Sequence, residues 1–187
     1  MNHENLWAPW RSAYLNELKR RADAMGQAER QQERQQERQQ ELEPGPFLSE
    51  YFRDPKRDEA NHVVYRDEQG IILLNRYPYA SGHLLVALGE PRPALLDYEP
   101  PQRAAFWKLV ELATGLIERT FRPQGINIGI NQGRAAGAGV PDHLHAHLVP
   151  RWHADTNFMS VVAQIRVVPD SLEVIAAHYR KMLREPS

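Results

Sequence analysis

Three histidines stand at alternate positions, His143, His145 and His147, in the run Asp142-His143-Leu144-His145-Ala146-His147-Leu148-Val149-Pro150-Arg151-Trp152. An alternation of period two suits a β-strand, in which residues two apart share a face. The imidazoles would then line one side while Leu144, Ala146 and Leu148 enter a core on the other. Upstream, Asn131-Gln132-Gly133-Arg134-Ala135-Ala136-Gly137-Ala138-Gly139 is rich in small residues, which lets backbone N–H groups approach an anion. Three readings of the row compete. It is a half-exposed strand with incidental histidines, a metal site, or a nucleophile whose neighbours offer hydrogen bonds and positive charge to a phosphoryl group. The metal reading lacks any cysteine in the chain and any acidic residue on the same strand face. The small-residue loop favours phosphoryl chemistry.

The rest of the chain must place that row. Residues 62–66 and 71–75, separated by Asp67-Glu68-Gln69-Gly70, read as a hairpin. Tyr77 to Gly82 reads as a turn and 83–87 as a third strand. The clearest helix spans 102–121, where Phe106, Leu109, Val110, Ala113, Leu116 and Ile117 recur at helical spacing. Strands follow at 126–131 and 143–149, and a second helix at 172–183 would take an apolar face from Leu172, Val174, Ile175, His178 and Met182, with His178 a surface or packing residue rather than a ligand. Five strands with a long helix between the third and fourth predict an α+β antiparallel sheet with two helices.

Upstream of this domain, residues 1–19 carry Leu6, Trp7, Trp10, Tyr14, Leu15 and Leu18, a cluster suited to docking on the chain's own domain or on a twin subunit. Residues 20–45 include a Glu-Arg-Gln-Gln repeat of period four with no apolar stripe, read as a spacer. The domain proper is expected over 46–187.

A formal charge of −1 in 187 residues gives no footprint for a nucleic-acid backbone. Without cysteine there is no disulfide, thiol nucleophile or thiolate metal site. No secretory h-region and no apolar run of membrane-spanning length is present, so the expectation is a soluble, cytoplasmic protein with no membrane partner.

The run His143-Leu144-His145-Ala146-His147-Leu148-Val149 resembles the motif of the histidine-triad (HIT) nucleotide hydrolases and transferases. Leu74-Asn75-Arg76-Tyr77-Pro78-Tyr79-Ala80-Ser81-Gly82-His83-Leu84-Leu85-Val86 is similar to that family's strand-turn-strand, and Asn127 to Gly133 to the strand entering its phosphate loop. Pro150-Arg151-Trp152, Asn157-Phe158-Met159 and Trp7-Ala8-Pro9-Trp10-Arg11 are most similar to the branch containing bacterial diadenosine tetraphosphate phosphorylases.

The resemblance implies a HIT-like fold with an N-terminal extension, commonly a homodimer. It makes His145 the nucleophile toward an α-phosphorus, with His147 on the phosphate oxygens and His143 supporting the row. Asn131 and the backbone from Gly137 through Gly139 to Val140 would hold the phosphate. Asn75 and His83 would meet nucleoside and substrate, and Leu85 would floor the base pocket. Arg134, Arg151 and His153 are candidates for the remaining phosphates, with a surface charge as the alternative for the arginines. The implied activity is nucleotidyl transfer from a dinucleoside polyphosphate to orthophosphate. The alternatives are a hydrolase using water on such substrates or on nucleoside phosphoramidates, and a non-catalytic nucleotide-binding scaffold. No cofactor is expected, and Mg2+ only as a companion of the nucleotide. Many relatives hold a structural zinc with Cys-x-x-Cys and two histidines, but this chain has Pro46-Phe47-Leu48-Ser49 there. His62 and His143, the remaining ligand positions, cannot close a tetrahedral site, so no zinc is expected and Phe47, Leu48, Tyr51 and Phe52 must pack in its place.

Overall fold

A computed structural model describes residues 47–153, 155 and 170–185. The docking segment 1–19, the spacer 20–45 and Asn157-Phe158-Met159 lie outside the described residues. Five strands form one antiparallel sheet: β1 (Val63–Arg66), β2 (Gly70–Leu74), β3 (Leu84–Leu88), β4 (Gly125–Ile130) and β5 (His145–Arg151), in the spatial order β1-β2-β3-β5-β4. Three α-helices stand among the described residues, α1 (Phe47–Arg53), α2 (Pro100–Phe121) and α3 (Leu172–Arg184), one more than the sequence predicts.

Alternation along the strands sends alternate residues to opposite faces. On one face Val64, Ile72, Leu74, Leu84, Val86, Leu144, Ala146 and Leu148 join the buried stripe of α2 in the main core. That stripe is the expected set, Phe106 to Ile117. Two prolines open the helix, where a missing N–H costs nothing, and Gln102 accepts from the Glu99 N–H at 2.9 Å. On α3 the buried residues are Ile175, Ala176 and Tyr179, while Val174 and His178 are exposed. Leu172, Ile175 and Met182 of the expected face do pack on the core, and Tyr179 joins them because its hydroxyl has a partner there, donating to the Gly82 carbonyl at 2.6 Å.

The other face carries Val63, Ile71, Leu73, Leu85 and Ala87, covered by Leu48, with Phe47, Tyr51 and Phe52 packed around it. Arg66 seats α1 by donating to the carbonyls of Tyr51, at 2.6 Å, and Phe52, while its Nε pairs with Asp58 at 2.9 Å. These bonds satisfy carbonyls that the end of a short helix would leave orphaned. The second layer on this face is therefore small, and it leaves the β5 histidines at its margin.

Candidate active site

Strand β5 pairs His147 with Leu85 and His145 with Ala87 across β3, and Gly129 faces His147 from β4. The second and third histidines thus point to the α1 face of the sheet, as the alternation requires. Their ring centroids lie 4.9 Å apart. His143 stands just before β5 begins, so it is outside the ladder; its N–H donates to the Val140 carbonyl at 3.2 Å. His83 closes the group from β3's entry, 5.3 Å from the His147 ring. His83, His143 and His145 are all buried and His147 is half-buried.

The hydrogen bonds fix which nitrogen carries each proton. His145 Nδ1 lies 2.9 Å from the His143 carbonyl oxygen, which only accepts. Nδ1 therefore holds the proton, and Nε2 is a bare lone pair. His83 Nδ1 accepts from the Tyr79 N–H at 3.1 Å, with Asn75 Nδ2 at 3.3 Å, so its proton sits on Nε2. That N–H donates to His147 Nδ1 at 3.1 Å. His147 in turn carries its proton on Nε2. The row thus presents one lone pair, from His145, beside one N–H donor, from His147.

Burial keeps these rings neutral. It lowers His145 and His143 below the ordinary histidine range, and it pushes His147 down to about 4, with His145 adding to the effect. A neutral imidazole near pH 7 is nucleophilic where an imidazolium is not.

The turn that delivers His83 is built from the strand-turn-strand motif. Gly82 has φ of +80°, and a Cβ there would meet Phe121 and Tyr179 at 2.9 Å, so only glycine fits. Asn75 Oδ1 accepts from the Tyr77 N–H at 2.9 Å. Both polar atoms of the Asn75 side chain thus bond within the turn. Tyr79 is 53 % exposed and its ring lies 4.9 Å from His83 and 6.1 Å from His147, nearly parallel to the latter. In the sequence this tyrosine is one residue of the strand-turn-strand motif, with no spacing that marks it as facing the histidines.

Beyond β4, residues 133–140 wind through a short turn, Arg134–Ala136, flanked by Gly133 and Gly137 at positive φ. The N–H groups of Gly137 and Ala138 donate within the loop, to Arg134 and Gly133. The N–H groups of Gly139 and Val140 donate to no backbone carbonyl among the described residues. Asn131 Nδ2 reaches the Gly137 carbonyl at 3.4 Å. Leu85 is 5 % exposed and belongs to the small core under α1.

Arg151 is engaged elsewhere. Its guanidinium meets Asp155 in a fork at 2.6 and 2.7 Å and donates to Asn127 at 2.9 Å. The His153 N–H donates to Gln124 at 2.6 Å. These bonds tie the end of β5 to the start of β4. The two leftover metal-ligand positions do not share a site either. His62 faces Glu173, with Nε2 at 3.8 Å, whereas His143 contacts Ser49 and Leu88. Among the described residues no cluster of three or more His, Asp or Glu side chains could hold a metal.

The family profile for the HIT domain matches residues 56–154. A protein of Mycobacterium tuberculosis named AP-4-A phosphorylase is 32% identical over 169 residues, covering 90% of this chain and 78% of its own length. A Schizosaccharomyces pombe protein named bis(5'-nucleosyl)-tetraphosphatase (asymmetrical) is 35% identical over 96 residues, 51% of this chain and 52% of its own. Among solved structures, a Zn-bound histidine triad family protein from Mycobacterium smegmatis superposes with a TM-score of 0.55 at 27% identity, over 66% of this chain and 84% of that one.

Proposed function

The chain belongs to the HIT domain family, and from that premise we propose that it is an enzyme cleaving dinucleoside polyphosphates by transferring a nucleotidyl group through His145. The observation that carries this reading is the bond from His145 Nδ1–H to the His143 carbonyl, which leaves Nε2 as the row's bare lone pair. Nε2 attacks the α-phosphorus, the bond from phosphorus to the bridging oxygen breaks, and the polyphosphate leaves with that electron pair. The covalent intermediate carries an N-phosphorylated imidazolium, whose positive charge is spread toward Nδ1–H. The His143 carbonyl dipole, held in place before the reaction, stabilises that charge. His147 Nε2–H donates to a phosphoryl oxygen as charge develops on it, and His83 keeps it in that tautomer.

The incoming oxygen of the acceptor then attacks phosphorus, the P–N bond breaks, and its electrons return to Nε2. Orthophosphate as acceptor is supported by the Mycobacterium tuberculosis phosphorylase, which aligns over 90% of this chain, whereas the yeast tetraphosphatase aligns over about half. Phosphate contacts fall to Asn131 and to the N–H groups of Gly139 and Val140; that of Gly137 is spent inside the loop.

The donor set does not fit a structural zinc. The chain has no thiol, and both His143 ring nitrogens are bonded to protein atoms. The enzyme therefore needs no zinc, and Mg2+ enters only with the nucleotide. A homodimer joined at β4 is supported by this strand's place at the sheet edge and by exposed Ile128. No described helix is long and apolar enough to cross a membrane.

Products of diadenosine tetraphosphate, separated by chromatography over rising phosphate concentration, test the reading. ADP and ATP in equal amounts are expected. AMP with ATP, at a rate indifferent to phosphate, would make the acceptor water.

A further inference from the structure

His143 has both ring nitrogens taken. Nε2 lies 2.7 Å from the Leu88 carbonyl oxygen, an acceptor only, so Nε2 carries the proton. Nδ1 is then the lone-pair nitrogen and accepts from the Ser49 hydroxyl at 3.3 Å. Ser49 and His143 are each 1 % exposed, so water cannot take over either bond. The backbone carbonyl of the same His143 receives the His145 Nδ1–H. That carbonyl precedes β5, so sheet pairing does not hold it. Its peptide is anchored on one side by the Leu144 N–H, which donates to the Arg92 carbonyl at 2.8 Å, and the His143 ring holds the residue on the other.

We propose that Ser49 is a positioning residue for the nucleophile. By clamping the His143 ring between α1 and the end of β3, it holds the His143 carbonyl where that oxygen keeps His145 in its Nδ1–H form. The role extends the reading of His145 as nucleophile and rests on it. Ser49 arrives from 94 residues away, on a helix seated by buried Leu48 and by the Arg66 bonds to its last carbonyls. A hydroxyl here does what a metal would otherwise do at such a histidine, which is to orient the ring by occupying its second nitrogen. Without that donor the buried Nδ1 is unsatisfied, the ring turns to find a partner, and the carbonyl, its peptide then held only by the Leu144 N–H bond to Arg92, tilts with it. His145 then samples the other tautomer, whose proton blocks Nε2. Ser49 touches no substrate, so the loss falls on kcat and not on binding.

The test compares full-length wild type, Ser49→Ala, Ser49→Thr and His145→Ala, using diadenosine tetraphosphate with phosphate and imidazole nitrogen NMR. Wild type should show His143 protonated at Nε2 and His145 at Nδ1. Ser49→Ala should lose about 5- to 30-fold in kcat, the factor for one to two kcal/mol, with KM within about twofold and the His145 tautomer signal mixed. Ser49→Thr, which keeps the hydroxyl, should recover most of the loss. Melting curves ensure that each variant is assayed folded. A Ser49→Ala enzyme with wild-type kcat and an unchanged His145 signal would overturn the inference, as would a wild-type spectrum with His143 protonated at Nδ1. If His145→Ala also turns over normally, it is the nucleophile reading that fails.

Discussion

Replacing His83 with Ala removes the ring that sets the His147 tautomer. The ring is fully buried, accepts from the Tyr79 N–H and donates to His147 Nδ1 at 3.1 Å. Two consequences follow in different observables. In stability, a cavity appears and two half-buried polar groups lose their partner, together about 3 kcal/mol. For a domain of this size that lowers the melting temperature by roughly 6–12 °C. In rate, His147 is released to put its proton on Nδ1, which turns a lone pair instead of an N–H toward the phosphoryl oxygen. Losing one preorganised donor to developing charge costs about 10²–10³ in kcat. Steady-state kinetics well below the melting point separates the two effects. The double variant with His147→Ala should be hardly slower than His147→Ala alone, because both changes remove the same donor. A His83→Ala enzyme whose kcat stays within about threefold of wild type would refute the tautomer relay.

Arg151→Ala should change kcat and the KM for phosphate by less than about threefold while lowering stability modestly, since its guanidinium is committed to Asp155 and Asn127. A tenfold or larger rise in that KM would return it to the anion site. Stability should depend on pH through the depressed histidines: an unfolded chain takes up their protons near 6.5, the folded one only near 4 for His147. The contribution is then complete above pH 6.5 and lost as pH falls from 6.5 to about 4. Denaturant titrations showing no loss over that window would count against a neutral row. Metal analysis of purified protein should find far less than one zinc per chain, and chelator pretreatment followed by assay with Mg2+ restored should leave activity intact; a stoichiometric, retained zinc would contradict the donor set.

Several features were legible in the sequence because they are local. The period-two histidines predicted β5, and the apolar stripe of α2 was read residue for residue, since a long helix states its buried face many times over. The small-residue loop was equally visible, although which N–H groups it spends internally was not. What escaped the reading is set by contacts distant in sequence. His83 meets His147 across 64 residues and Ser49 meets His143 across 94, and no spacing rule relates such pairs. Helix α1 is only seven residues long, too short for periodicity to speak, and owes its place to Arg66. On α3 the expected Leu172, Ile175 and Met182 do face the core, but Tyr179, amphipathic by composition, joins them only through a bond to the distant Gly82. The sequence leaves Arg151 either an anion-site candidate or a surface charge, and the structure commits its guanidinium to Asp155 and Asn127.

Nucleotidyl transfer is tested most directly by trapping the intermediate. Wild-type protein mixed with diadenosine tetraphosphate in the absence of phosphate, quenched in alkali and digested, should yield one peptide carrying an acid-labile adenylate on His145. Phosphate added before the quench should discharge that adduct as ADP. Turnover at full rate with no adduct at any time, or with the adenylate on His143 or His147, would contradict nucleophilic attack by His145.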